Sequence, residues 1–419
     1  LEKVLKIIPR RSSEYETNFT NINLLGTVKS KKGEDYFSLP INFAFNYFGR
    51  NNLLVKDNTV LGVEDFIPPK LPDPNHPRAS ANQKEFMADM LEAVKKNYTV
   101  LAIAPTGTGK TVTALNTAGK LGHKTLVIVH LERLMSQWVD EIELQLGIPK
   151  ERIGIVRQDV CEYEGKDVVV ALMHSLGLRK YPKEFYSAFG TVIYDEGHRL
   201  GAPLFASTVG LFPARYKICL TATPKRKDGC EDVFFYYFGK PRVIAQAEAL
   251  PIDVKVLKYT APERYRVRVP NRTSFLLAVA NDEIRTRKIA KLIHSLYLKD
   301  RNILIVSDFI EHIESLIFVC NEFGVPMEDM GQFTGSYTCL ITGKRKKPTT
   351  KYLDAVKKES KIIFATYNMV KEGIDIPRLD AGIDATPRSD ATQLIGRIRR
   401  PFIGKKHPVW YTIVDESVS

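Results

Sequence analysis

The segment Ala104–Thr111, APTGTGKT, constrains this chain more than any other. An apolar run, Val100–Ala104, precedes it and reads as a buried strand; a helix-forming stretch, Thr113–Leu121, follows. Strand, glycine-bearing turn, Lys, hydroxyl and helix in that order make a phosphate-binding loop. Gly107 and Gly109 let the backbone turn tightly and aim its N–H groups at phosphate oxygens. The start of the helix adds the positive end of its dipole. Lys110 is expected to reach the β- and γ-phosphates, and Thr111 to hold Mg²⁺. The expected ligand is a nucleoside triphosphate.

The rest of the chain falls into place around that loop. At 419 residues it exceeds one compact domain. Residues 1–75 carry short alternating segments (Asn21–Val28, Tyr36–Phe48, Asn52–Val55) between turn signals, which predicts a small β-rich module. Two readings stand for it: docking duplex nucleic acid, or bracing the core. Pro68, Pro69, Pro72, Pro74 and Pro77 then form a stiff connector. From Ser80 onward apolar strands alternate with amphipathic helices, which implies parallel sheets covered on both faces. Strands are predicted at Val100–Ala104, Thr125–Val129, Val168–Leu172, Thr191–Tyr194 and Lys217–Leu220, with a helix over Leu131–Leu146. The pattern breaks up between about 222 and 265 and then resumes. Strands Ile303–Val306, Lys361–Ala365, Ala381–Ala385 and Val409–Val414 alternate there with helices Asp282–Leu298, Phe309–Phe323 and Asp390–Arg399. The expected division is 1–75, 76–240 and 241–419, an α/β chain in which the third part lacks a phosphate loop.

Ile193–His198, IYDEGH, is an apolar strand ending in adjacent carboxylates. At a strand tip beside the phosphate loop, Asp195 would hold Mg²⁺ and Glu196 would orient and deprotonate an attacking water.

APTGTGKT, DEGH at Asp195–His198, TATP at Thr221–Pro224, EGIDIP at Glu372–Pro377 and QLIGRIRR at Gln393–Arg400 occur in that order. The set resembles the motifs of superfamily 2 helicases and translocases, over about residues 78–415. It looks most like the DNA-directed branch of XPB-like, restriction-translocase and UvsW-like branch-migration enzymes. The resemblance implies two tandem RecA-like parallel-sheet domains of P-loop NTPase type, with ATP and Mg²⁺ as ligands. It places Gln83 at adenine and Thr106, Gly107, Thr108, Gly109, Lys110, Thr111, Gly373 and Asp375 around the nucleotide, with Thr111 and Asp195 on the metal. Lys110, Asp195, Glu196 and Gln393 would act in hydrolysis, with Arg397 and Arg400 as arginine fingers three residues apart on one helix face. His198 and Thr221–Thr223 would link that site to the nucleic-acid face. There, His130, Arg133, His174, Ser175, Ser307, Thr366 and Lys371 fall where relatives touch the phosphate backbone. His130 and Leu172 depart from the usual Pro and Thr, and Leu172 forfeits a hydroxyl.

Net charge completes the expectation. Lys+Arg number 61 against 48 Asp+Glu, a balance of +13 that favours a polyanionic partner. Arg264, Arg266 and Arg268 alternate with Tyr265, Val267 and Val269; the pattern suits a basic hairpin that meets duplex DNA, and equally an edge strand protected by charge. Gly343–Lys347, GKRKK, reads as a basic loop, either on phosphates or simply solvated. The scattered cysteines have no CxxC spacing, which disfavours zinc and disulfides and suits a reducing cytoplasm, a host's if the chain is phage-encoded. No apolar run approaches the ~18 residues of a membrane span. The expected partner is DNA, forked, branched or single-stranded, gripped with low base specificity by a monomer working in replication, recombination or repair; an RNA helicase, or an ATP-driven duplex-DNA translocase subunit of a restriction or repair complex, is the alternative.

Overall fold

A computed structural model describes residues 2–7, 22–29, 35–49, 60–62, 81–105, 108–226, 228–240, 243–245, 250–262, 271–338, 345–371, 376–388 and 391–416. The chain forms two compact units, Leu1–Ala247 and Glu248–Ser419.

The first unit begins with two small antiparallel pairs, β1 (Lys6–Ile7) with β2 (Ile22–Asn23) and β3 (Gly26–Lys29) with β4 (Asp35–Ser38). The alternation read over Tyr36–Phe48 stops at Pro40, and Ile41–Phe48 is a helix. Tertiary packing overrides the strand-like pattern here. Phe43 sets its ring edge-on to Tyr236 at 5.2 Å, and Asn42 donates to the Thr99 hydroxyl at 2.7 Å. These contacts tie helix Ile41–Phe48 to the rest of its own unit. Residues 52–55 and the proline connector lie outside the described residues.

The main sheet contains β5 (Thr99–Ile103), β6 (Thr125–Val129), β7 (Ile153–Arg157), β8 (Val160–Cys161), β9 (Val168–Leu172), β10 (Thr191–Tyr194), β11 (Tyr216–Thr221) and β12 (Val243–Ile244). Their order is β12-β5-β11-β10-β6-β9-β7-β8, all parallel except the β7–β8 pair. Strands β6, β9 and β10 are buried along their whole length, which is why each reads as a continuous apolar run. One face packs on Phe185, Phe189, Phe234 and Phe238, the other on Trp138, Ile142 and Leu146 of helix Glu132–Leu146. Because β5, β6, β9, β10 and β11 run parallel, their C-terminal ends share one edge, where ligands of open α/β sheets bind.

The second unit repeats the plan. Its strands are β13 (Asp253–Tyr259), β14 (Ile303–Ser307), β15 (Met330–Phe333), β18 (Ile362–Thr366), β19 (Ala381–Asp384) and β20 (Val409–Asp415), with β16 (Tyr337–Thr338) and β17 (Arg345–Lys346) as a separate antiparallel hairpin. The sheet order is β13-β20-β19-β14-β18-β15, parallel throughout. The two units are the tandem RecA-like parallel sheets that the resemblance implies, preceded by a small β region. Helix Thr392–Ile398 ends before Arg400, so Arg397 and Arg400 do not share a helix face. Pro401 disfavours helical backbone at the residue before it, which is Arg400.

Candidate active site

Strand β5 delivers the chain to the phosphate loop, and Ala104 N–H is fixed to the Thr221 carbonyl at 2.9 Å. The helix begins at Lys110, a turn earlier than Thr113, with Gly109 as its N-cap at φ 79°. That left-handed backbone favours glycine. It also leaves space for Gln83: a Cβ added at Gly109 would lie 2.3 Å from the Gln83 amide nitrogen. Gln83 donates to the Thr108 carbonyl at 3.1 Å, so the expected adenine-reading residue lies directly against the loop. The Thr108 hydroxyl donates to the Pro105 carbonyl at 2.8 Å, and Thr113 donates back to Gly109 at 3.0 Å. Thr111 sits half-buried in the first helical turn beside Lys110. Thr106 and Gly107 lie outside the described residues.

One residue past β10, Asp195 and Glu196 stand on the same edge. Glu196 adopts φ 50°, ψ 50°, a left-handed conformation unusual for a non-glycine residue, which turns successive side chains apart. Lys110 Nζ lies 2.9 Å from Glu196 Oε1. His198 Nδ1 lies 3.3 Å from Glu196 Oε2 and 3.2 Å from the Thr221 hydroxyl. Thr221 Oγ1 donates to the Thr223 carbonyl and accepts from Thr223 N–H, both at 3.1 Å, so the imidazole is the donor toward it. Phosphate loop, carboxylates and TATP turn are therefore joined through side chains.

Asp195 has a different company. Its Oδ2 accepts the Trp138 indole N–H at 3.0 Å, and its Oδ1 accepts Glu196 N–H at 2.9 Å. Burial pushes the Asp195 carboxyl above its usual range, Lys110 pulling it down and Glu196 pushing it further up. Burial also works against charge on Glu196, but Lys110, His198 and His130 outweigh it and hold that carboxyl below its usual range. The residues fit Mg²⁺ and a triphosphate: the N-terminus of a 12-residue helix, a lysine, a half-buried hydroxyl and the Asp195 carboxyl with spare lone pairs. Among the described residues no group of three or more His, Cys, Asp or Glu could hold a metal by itself. A magnesium ion carried by one carboxylate, one hydroxyl and phosphate oxygens requires no such group.

Two participants escaped the sequence reading. Trp138 looks there like one apolar position of an amphipathic helix. Arg226, just after TATP, donates to the His198 carbonyl and forms an ion pair with Asp228, locking the turn after β11 to the one after β10. Its opposite charge at an i, i+2 spacing was the available signal.

The expected backbone-contact residues divide by burial. His130 follows β6 on the same edge, and Arg133 is exposed in the first turn of helix Glu132–Leu146. His174 is exposed beyond β9, its ring 6.4 Å from Phe205. Ser175 is buried and accepts Gln158 N–H at 2.9 Å. Leu172 is buried too, so the departure from Thr fills core rather than facing solvent. In the second unit Ser307 is fully buried, its hydroxyl 3.0 Å from His312 Nδ1 and accepting Phe309 N–H at 3.2 Å. That hydroxyl serves the start of helix Ile310–Glu322. Thr366 closes β18, half-buried, and helix Tyr367–Lys371 follows. Arg397 is buried in the last turn of its helix, and burial pulls the Arg400 guanidinium below its usual range. The Lys371 and Gln393 side chains, and Arg264, Arg266, Arg268, Gly343, Lys344, Gly373 and Asp375 entirely, lie outside the described residues.

Residues 77–226 match the family described as Type III restriction enzyme, res subunit. Over 98% of its length the chain is 25% identical to L396 of Acanthamoeba polyphaga mimivirus, provisionally named an ATP-dependent RNA helicase, covering 76% of that protein. It is 28% identical to D10 of Escherichia phage T5, named a probable helicase, over 72% of this chain and 65% of that one. Among solved structures, the helicase MrfA bound to DNA and AMPPNP superposes with a TM-score of 0.58 at 13% identity, over 84% of this chain and 52% of that one. That likeness concerns the fold. No helix of the described residues is long and apolar enough to cross a membrane.

Proposed function

We propose, from the premise that this chain is a superfamily 2 helicase, that it is an ATP-driven motor acting on forked or branched DNA. The observation that carries the reading is the constellation on the edge of the first sheet. Lys110 holds Glu196, the Asp195 carboxyl lies next to that ion pair without a side-chain bond to Glu196, and His198 connects Glu196 to the TATP turn.

The chemistry follows from those positions. A triphosphate competes with Glu196 for the Lys110 ammonium. As Lys110 turns to the phosphates, Glu196 loses the neighbour that most depresses its basicity and can take the proton of a water aimed at the γ-phosphorus. The new P–O bond forms as the β–γ bridge breaks, and the charge leaves on the bridging oxygen. Mg²⁺, held by Thr111 and Asp195, would supply charge neutralisation on the phosphates. Gln83 is assigned to adenine, and Thr108, Gly109, Thr106 and Gly107 to the phosphates, with Gly373 and Asp375 as further nucleotide contacts. Arg397 and Arg400 are proposed as the arginine fingers, with Gln393 beside them.

His130, Arg133, His174, Thr366 and Lys371 are proposed to grip phosphates rather than bases, giving low base specificity and binding that weakens steeply with salt. Ser175 and Ser307, both buried, are proposed to support that surface. Branched DNA suits such a motor: pairs broken and re-formed nearly cancel, avoiding a stacking cost of about 1.4 kcal/mol per step. RNA is the competing substrate, favoured by the name that L396 carries. ATPase rates with single-stranded DNA, duplex, fork, four-way junction and RNA decide between them, in wild type and Lys110→Ala. Strongest stimulation by fork or junction, lost in the variant, is the expected result. Strongest stimulation by RNA overturns the DNA assignment, and turnover surviving in Lys110→Ala overturns the nucleotide site.

A further inference from the structure

Trp138 makes a contact that its place in the helix does not require. Met135, Ile142 and Leu146 share its buried helix face, and any large apolar side chain would fill the space. Yet Trp138 is 2% exposed, and its indole N–H points at Asp195 Oδ2, 3.0 Å away. With Glu196 N–H on Oδ1 at 2.9 Å, a separate donor holds each oxygen and the carboxylate plane is fixed.

The kind of donor matters as much as its position. A buried carboxylate is costly unless it is hydrogen-bonded. A lysine or arginine here would satisfy Asp195 but cancel the negative charge that a cation needs. An indole satisfies it and leaves the charge intact. Each carboxylate oxygen also keeps a lone pair beyond the one already used. The lysine of the site, Lys110, is spent on Glu196 instead.

We propose that Trp138 is a positioning residue for the metal-binding carboxylate, its neutral N–H holding Asp195 turned toward a divalent cation on the nucleotide. This rests on the nucleotide-site reading above. Partners that orient metal ligands typically contribute about 10- to 100-fold in metal affinity.

The test uses the full chain and Mn²⁺ with ADP, free Mn²⁺ being counted by electron paramagnetic resonance. Trp138→Phe keeps the ring bulk and loses the N–H. It is expected to weaken Mn²⁺·ADP binding about 10-fold or more, with ADP alone bound as in wild type. Trp410→Phe, which removes the other tryptophan, serves as the control and should bind Mn²⁺·ADP as wild type does. In that control Trp138 is the sole fluorophore of its kind, and Mn²⁺·ADP should quench it far more than Mg²⁺·ADP does.

Wild-type Mn²⁺ affinity in a folded Trp138→Phe protein overturns the proposal. If Trp138→Phe fails to fold, equal quenching by the two metals in the control protein overturns it instead. A wild-type chain that binds no Mn²⁺·ADP sinks the nucleotide-site reading itself, a result distinguishable from either.

Discussion

Each unit of this chain carries, at the C-terminal end of a central strand, a buried aspartate held by a tryptophan indole, and the two differ in what else surrounds them. In the first unit Trp138 donates to Asp195 at 3.0 Å; in the second, Trp410 donates to Asp384 at 2.9 Å. Asp384 is also bonded by the Tyr367 hydroxyl at 2.7 Å and the Thr412 hydroxyl at 3.3 Å, and it is 1% exposed. Side-chain donors thus fill most of its acceptor capacity, yet they offset only part of the upward push of burial, and its carboxyl stays above its usual range. Asp195 has one side-chain donor, a lysine–glutamate pair alongside and a glycine loop ahead of it. The difference teaches that an indole on a carboxylate does not by itself mark a site. On the proposed reading, spare lone pairs beside the N-terminus of helix Lys110–Leu121 do.

On this account the second unit's contribution to hydrolysis comes from arginine rather than Asp384. Arg397→Ala should therefore show the largest loss, about 10³-fold or more in kcat with nucleotide binding retained. Steady-state ATPase and nucleotide titration together check it, and a loss confined to binding would move Arg397 out of the finger role.

Next in size is Glu196→Gln, which keeps shape and removes the base; kcat should fall about 10²–10⁴-fold. Freed from Glu196, Lys110 should bind nucleotide at least as tightly. Weakened binding with normal turnover would contradict the division of labour between the two carboxylates.

A smaller effect separates Lys110 from a lysine buried at the other end of the same sheet, for which no ion pair forms among the described residues. Lys217 is 6% exposed near the start of β11, and burial lowers its ammonium to about 8. Folding thus favours its neutral form, while the unfolded chain stays protonated up to about 10.5. Between those values the unfolded state binds more protons, so this group's contribution makes stability rise with pH across the window. Below pH 8 the full cost applies, about 3 kcal/mol at 1.36 per pH unit. Lys217→Met should recover much of that at pH 7 and flatten the rise, as chemical denaturation at several pH values would show.

Much of this architecture was legible in the sequence because parallel strands buried on both faces leave unbroken apolar runs. Strands β6, β9 and β10 match their expected residues for that reason. Strands β7 and β15 escaped because each carries a glycine where a neighbour presses close. A Cβ at Gly154 would meet the Glu162 carbonyl at 1.9 Å, and one at Gly331 the Ser360 hydroxyl at 2.3 Å. Strand β13 is an edge strand whose Val254 and Val256 are more than half exposed, so no burial pattern marked it. At the candidate site, Lys110, Asp195 and Glu196 could be singled out, and lie together, because their motifs are local in sequence. Trp138 was not, since a buried indole needs a partner but nothing in the sequence says which. Arg264, Arg266 and Arg268 lie outside the described residues.

The most direct test sets the two aspartates against each other. Asp195→Asn and Asp384→Asn are compared for ATP turnover and for thermal unfolding in the absence of nucleotide. The expected outcome is a crossed pattern: Asp195→Asn loses turnover and stays folded to nearly the wild-type temperature, while Asp384→Asn turns over normally when cool and melts early. Normal turnover in Asp195→Asn, or a chemical defect in a fully folded Asp384→Asn protein, would contradict the placement of the hydrolytic centre on the first sheet.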